Sequence, residues 1–323
     1  MNYPESRMRR YRSTPLARKA AQDIFISPGN FIQPLFVTSG AENEKIPSMP
    51  GVERIGSRNL RSALKEIEEA GIPSILVFPI IPEDEKDETG SSCYQESKSV
   101  SKIVANVRKN TSLNLMVDLC LCPYTTHGHC GLVDKESILN DETLEILGKS
   151  AVSLANAGAD WVAPSGMIDG MVSSIRSALD QSGNQDIAIL SYSIKFASGF
   201  YGPFREAAHS APKMSDRKSY QMDYRSGWQI ERELAQDIAE GADAVMVKPA
   251  LPYLDVIRQI AQQSPVPVAA YQVSGEYSMI MNAAQQGLLT AHEAFDETFY
   301  AFRRAKAQWI ISYFALEYCK NTF

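Results

Sequence analysis

No run of 18 apolar residues occurs in the chain, which excludes a membrane-spanning helix. Positive charge is in short supply: 32 lysines and arginines stand against 38 acids, a net charge of −6 that argues against a general nucleic-acid binder. Cysteines number only five, an odd count, and no apolar h-region follows the first residues, so nothing marks a secreted disulfide framework. Together these absences point to a reducing, cytoplasmic setting. No Gly-x-Gly-x-x-Gly turn follows the first apolar run, so an open dinucleotide-binding sheet lacks its signature. No low-complexity segment or second domain boundary interrupts the sequence.

What is present is a regular alternation. After residue 30, eight short apolar runs recur: Phe31–Val37, Ser74–Ile80, Leu113–Leu121, Trp161–Ser165, Ala188–Phe196, Ala244–Ala250, Val266–Ser274 and Trp309–Ala315. Helical patterns fall between them, around 57–70, 97–109, 141–157, 169–181, 228–240, 252–263 and 291–306. Asn140 and Thr290, each with an acid close behind, read as capped helix starts, and Gly158, Gly241 and Gly287 fall where helices should stop. Near-continuously apolar strands alternating with helices predict parallel strands buried on both faces. Eight such units predict an α/β TIM (β/α)8 barrel, a fold that a chain of 323 residues with 44% hydrophobic content can fill. A doubly wound open sheet is the alternative.

The first thirty residues read as an arm outside the barrel, which then occupies 31–323. Arg7, Arg9, Arg10, Arg12, Arg18 and Lys19 face only Glu5 within the first twenty residues, which suits docking on another subunit. Two connections are long. Residues 38–56 follow the first strand. Residues 197–226 follow the fifth and carry Arg205, His209, Lys213, Arg217 and Lys218, as a lid over an anionic substrate would.

The densest chemistry is Asp118-Leu-Cys-Leu-Cys-Pro-Tyr-Thr-Thr-His-Gly-His-Cys130. Cys120 and Cys122, two apart on an extended segment, point the same way, and seven further residues can return Cys130 to them. Three thiolates suit zinc and leave one coordination position open, the mark of a catalytic rather than a structural site. Buried, inert cysteines are the plainer alternative. His127 and His129 read equally as a fourth ligand, as supporting donors or as loop histidines.

Polar residues at strand ends carry the rest, because a TIM barrel reacts at its C-terminal face. Lys195 and Lys248 end adjacent apolar strands, where lysine is unusual. Strands about 4.8 Å apart bring two amines together, and desolvation plus a second ammonium lower a lysine pKa. A neutral amine attacks a ketone or aldehyde to form a Schiff base. One phosphate-binding and one salt-bridged lysine is the simpler alternative. Asp118, Ser165, Gln272, Ser274, Ser312 and Tyr313 lie at the other strand ends.

With those residues in view, the chain resembles the zinc-dependent 5-aminolevulinate dehydratases (porphobilinogen synthases). The cysteine motif carries the resemblance, with Ser191-Tyr-Ser-Ile-Lys-Phe-Ala-Ser-Gly-Phe-Tyr-Gly-Pro-Phe-Arg205, Asp216-Arg-Lys-Ser-Tyr-Gln-Met222, Gly241-Ala-Asp-Ala-Val-Met-Val-Lys-Pro-Ala250 and Ala270-Tyr-Gln-Val-Ser-Gly-Glu-Tyr277. The resemblance implies condensation of two 5-aminolevulinate molecules to porphobilinogen by a cytoplasmic homo-octamer, without nucleic-acid or membrane partners. It implies a Schiff base on Lys248, with the first substrate's carboxylate on Ser274 and Tyr313. Lys195 would hold the second substrate, with Arg205, Arg217 and Gln221 at its carboxylate. Zinc would sit on Cys120, Cys122 and Cys130, Asp118 and Ser165 would orient groups or handle protons, and Glu233 would match an allosteric magnesium ligand. Where the family usually reads Ala-Pro-Ser-Asp-Met-Met-Asp-Gly-Arg, this chain has Gly166 and Met171 in place of the aspartate and arginine. That is either a compensated loss of a charge pair or a weakened site. Asp223-Tyr-Arg-Ser-Gly-Trp228 also departs from the family's turn, and Thr38-Ser-Gly40 lacks the acid common before that glycine. Two other functions fit the same residues: a Schiff-base aldolase on another amino-ketone, and a catalytically weakened relative that senses 5-aminolevulinate or zinc.

Overall fold

The computed structural model describes residues 2–135, 137–211 and 216–323; Lys213 of the expected lid lies outside the described residues. Eight parallel strands close into a barrel: β1 (Phe31–Thr38), β2 (Ser74–Ile80), β3 (Asn114–Leu119), β4 (Trp161–Pro164), β5 (Ala188–Lys195), β6 (Ala244–Lys248), β7 (Val268–Tyr271) and β8 (Trp309–Ile311). Each pairs with the next, and β8 closes on β1 through Phe31↔Ile310 and Ile32↔Ile311. The chain is thus an α/β TIM-type barrel with an N-terminal extension. Burial of the strands on both faces explains their near-continuous apolar sequence, as in Ser74–Ile80, buried throughout. Trp161 and Trp309 begin β4 and β8 and meet edge-on at 5.7 Å.

Each expected helix forms, with ends that differ slightly: α1 (Leu60–Glu69), α2 (Ser99–Asn110), α3 (Asn140–Asn156), α4 (Met171–Gln181), α5 (Gln229–Ala239), α6 (Leu254–Gln263) and, later, α8 (Ala291–Arg304). Besides the short helices Pro15–Ala20 in the arm and Gly202–Ala207 in the lid, two more were not expected. α7 (Ser274–Gln285) and α9 (Ala315–Thr322) begin inside runs that read as strand. Strands β7 and β8 end early at Tyr271 and Ile311, so Gln272, Ser274, Ser312 and Tyr313 stand just beyond them. The helix stops hold: Gly158, Gly241 and Gly287 have φ of 103°, 108° and 72°, a region that favours glycine. The side-chain caps do not. Asn140 is the first residue of α3 and exchanges hydrogen bonds with the Asp169 backbone, and Thr290 makes no capping bond.

The arm up to residue 30 is nearly all exposed, including Tyr3, Met8, Tyr11, Leu16 and Phe25. Gln22 Nε2 donates to Tyr300 Oη (3.2 Å) and Arg303 Nε to the Phe25 carbonyl (3.3 Å), which ties its end to α8.

Candidate active site

Lys195 and Lys248 pair across the β5–β6 ladder, as adjacent strand ends require. Each is 5% exposed. Between Val245↔Ser191 and Val247↔Ile194 the register shifts, so β5 carries one extra residue. Ser191 Oγ points outward, donating to Asp237 of α5 at 2.6 Å. Strict alternation would send Lys195 outward as well, four residues on. The bulge turns it inward, beside Tyr192.

Lys248 is enclosed by rings. Its Nζ lies 4.2 Å from the ring centre of Tyr271, 4.9 Å from Tyr192, 5.0 Å from Phe204 and 5.6 Å from Tyr201. Burial, and then the Lys195 charge, lower its pKa from 10.5 to about 7, against the pull of Asp118 and the thiols of Cys122 and Cys120. Lys195 has a more polar setting: its Nζ donates to the Ser165 carbonyl and lies 5.5 Å from the Tyr192 ring. Asp118, 6% exposed, is pushed up by burial against the opposing charges of Lys248 and Lys195, and it faces Ser165 and Tyr192.

The three cysteines converge as their spacing predicts. The Sγ atoms of Cys120, Cys122 and Cys130 lie within 4.8 Å of one another, all buried, with Cys120 and Cys122 at 3.3 Å. Cys130 is held well below the ordinary thiol value by hydrogen bonds from Cys120 and Cys122, with Arg217 and Lys195 adding to the effect. A buried set of three soft donors beside cations fits zinc, whose sulfur bonds are about 2.3 Å long. Among the described residues no histidine joins this cluster. His127 Nε2 meets the Glu88 carbonyl at 3.1 Å and His129 Nδ1 meets Tyr220 Oη at 3.3 Å, so of their three expected roles ligation drops out.

The lid is rooted at Lys195, where Met222 N donates to the Lys195 carbonyl (3.0 Å) and Ala197 N to the Met222 carbonyl (2.8 Å). It contains a short helix, Gly202–Ala207. Arg217 is buried, and one of its amino groups binds the carbonyls of Ser210 (2.6 Å) and Gly128 (2.9 Å). Arg205 Nε, Arg217 Nε and Gln221 Nε2, with Ser210 Oγ, are lid donors buried with no hydrogen-bond partner among the described residues. Buried donors of this kind need an acceptor, and a carboxylate supplies two oxygens.

On the Lys248 side, Ser274 Oγ accepts from Phe204 N (2.9 Å), tying α7 to the lid. Tyr313 Oη meets Tyr271 Oη at 2.9 Å and its ring stacks on Phe36 at 5.8 Å. Glu233 stands apart on α5. Burial, then Asp237, Asp169 and Glu240, raise its pKa to about 7.

Sequence reasoning missed the aromatic box and Glu276. That carboxylate is fully buried and accepts from Val273 N (2.6 Å) and Leu251 N (2.5 Å), which clamps the turn after Lys248. Its quoted motif, Ala270–Tyr277, was the available signal. Gly166, beside Ser165, packs against the zinc loop: a Cβ there would lie 3.6 Å from the Cys130 carbonyl and 3.2 Å from Ile168. Met171 is buried at the start of α4.

Comparison with known proteins gives the same direction. The family described as delta-aminolevulinic acid dehydratase matches residues 5–321. Proteins of that name from Methanothermus sociabilis and Bacillus subtilis (strain 168) are 47% and 44% identical to the chain; the first match covers 98% of each chain and the second 99%. A crystal structure of delta-aminolevulinic acid dehydratase from Toxoplasma gondii ME49, in complex with the reaction product porphobilinogen, superposes with a TM-score of 0.95 at 40% identity, covering 98% of this chain and 91% of that one.

Proposed function

The chain belongs to the delta-aminolevulinic acid dehydratase family, and from that premise we propose how its residues divide the work of one reaction. The reaction is the condensation of two 5-aminolevulinate molecules to porphobilinogen in tetrapyrrole biosynthesis, a hydro-lyase activity. The observation that carries the division is the pair of buried lysines on adjoining strand ends, one in an aromatic box and one beside the thiols.

Lys248 is the nucleophile for the first substrate. Its pKa of about 7 leaves a large neutral fraction near neutrality. The amine attacks the keto carbon, and loss of the carbonyl oxygen as water leaves the Schiff base. Ser274, which touches the lid, and Tyr313, which touches Tyr271 of the box, take this substrate's carboxylate. Lys195 holds the second keto group, and Arg205, Arg217 and Gln221 take its carboxylate with their unpartnered donors. Asp118 lies beside both amines and Ser165 beside Lys195 and Asp118, where they orient the reacting groups and exchange protons. Cys120, Cys122 and Cys130 would hold zinc, which would supply Lewis acidity on the second-substrate side. Glu233 is a magnesium ligand outside the reacting centre. The exposed basic arm packs on a neighbouring subunit of a homo-octamer, and the enzyme works in the cytoplasm. Among the described residues no helix is long and apolar enough to cross a membrane.

Borohydride trapping with 5-aminolevulinate, followed by peptide mass mapping, tests this reading. An adduct on Lys248 together with porphobilinogen formation is expected. Turnover with no lysine adduct overturns the Schiff-base assignment, and an adduct without turnover supports the sensor alternative. The aldolase alternative requires turnover of an amino-ketone that carries no carboxylate.

A further inference from the structure

The long 38–56 connection has no part in the chemistry above, yet it reaches the lid. Arg54 lies on a short strand, Glu53–Ile55, that pairs in parallel with the end of β1 through Phe36 and Val37. The strand Glu44–Lys45 flanks it. Arg54 is 6% exposed. Its Nε donates to the Ala207 carbonyl at 2.8 Å and one amino group to the Glu206 carbonyl at 2.9 Å, while the other meets Glu44 at 3.0 Å. Those carbonyls end the lid helix, where backbone acceptors carry partial negative charge; the Glu206 carbonyl also accepts from His209 N at 3.3 Å. Burying a guanidinium is unfavourable unless its donors are used, and here they are spent on lid backbone and a counter-charge.

A second cation does the same from the β2–α2 connection. Lys86 Nζ joins Glu83 at 2.6 Å and the His209 carbonyl at 3.0 Å. Two elements far apart in sequence therefore grip the lid backbone over 206–209. Arg205 is the preceding residue, with its Nε unpartnered among the described residues.

We infer that Arg54 and Lys86 are positioning residues that clasp the C-terminal end of the lid helix and so fix where Arg205 meets the second substrate's carboxylate. The inference rests on the role given to Arg205 above. Neither clasp residue touches the Lys248 box, so the first substrate should still be captured when the clasp is cut.

The test uses the full-length, zinc-loaded protein. In Arg54→Met the KM for 5-aminolevulinate should rise about tenfold, the scale of lost charge-assisted hydrogen bonds, with kcat held within about twofold. The yield of the borohydride adduct on Lys248 should be unchanged, and amide exchange over 206–210 should speed up. Arg54→Lys keeps the charge without the fork and should fall between. Lys86→Met should raise KM about threefold by the same route. Unchanged KM in both methionine variants, with melting temperatures retained, overturns the inference. So does a fall in kcat that matches a loss of folded protein at constant KM. If Arg54→Met does not fold, Lys86→Met decides, since it alters only a loop residue. An Arg205→Gln variant with unaltered KM would instead remove the role of Arg205, while amide exchange still reports whether the clasp exists.

Discussion

Two amines end neighbouring strands as paired residues and share the Tyr192 ring, the Asp118 carboxyl and the nearby thiols, yet the rest of their surroundings differs. Around Lys248 stand three further aromatic rings and a turn clamped by Glu276; around Lys195 stand the Ser165 carbonyl and the root of the lid. Strand geometry makes the two positions equivalent, and their surroundings make them different reagents. Desolvation dominates on the Lys248 side and favours a neutral nucleophile. Unpartnered donors and a soft-metal site dominate on the other and favour a substrate held by its charge.

The same substitution at both positions gives the largest test. Lys248→Ala should abolish porphobilinogen formation, by about 10⁴-fold or more, and remove the borohydride adduct. Lys195→Ala should also stop turnover yet leave an adduct on Lys248, and equal trapping in both variants would erase the distinction. Chelation, or Cys122→Ala, should cost turnover about 10³-fold while zinc content falls and the Lys248 adduct persists; metal analysis and trapping read this together. Next in size is the pH response. Below about 7 the trapping rate should rise about tenfold per pH unit and then level, because the neutral amine grows as Lys248 loses its proton. Folding shows the same shift from the other side. A lysine whose pKa falls from 10.5 unfolded to about 7 folded costs stability fully below about 7, and that cost vanishes above 10.5. Lys248→Met should therefore melt higher than the parent at pH 6, with the gain shrinking towards pH 10.5. Phe204→Ser opens the box to water, and desolvation outweighs the lost ring contact, so the trapping midpoint should move up by about one unit. Smallest of all, Gly166→Ala adds a methyl 3.2 Å from a movable Ile168 side chain, and thermal melts should register less than about 1 kcal/mol.

The barrel was legible because double burial leaves a plain mark, a continuous apolar run of strand length. α7 and α9 were not, because the chain turns from strand to helix within a few residues. In Val268–Gln285 the apolar pattern passes through Gln272 and Val273 without punctuation, and although the contact that starts α7, Glu276 to Val273 N, is local, its N-cap position is a valine, which gives no capping signal. In the site, lysines and cysteines announce themselves by residue type. Tyr192, Tyr201, Phe204 and Tyr271 do not, since an aromatic residue reads first as core. Arg54 was hidden for a similar reason: nothing in Gly51-Val-Glu-Arg54 tells that its acceptors are the Glu206 and Ala207 carbonyls, over 150 residues away.

The extra residue in β5 makes the position of Lys195 a matter of parity. Between Ser191 and Lys195 the strand counts one more residue than its neighbour, and that odd count alone decides whether the amine meets substrate or the surrounding helices. Deleting Ser193 would keep every side chain assigned a role above and still turn Lys195 towards α5. In this stretch of chain, number is as much a part of the active site as chemistry.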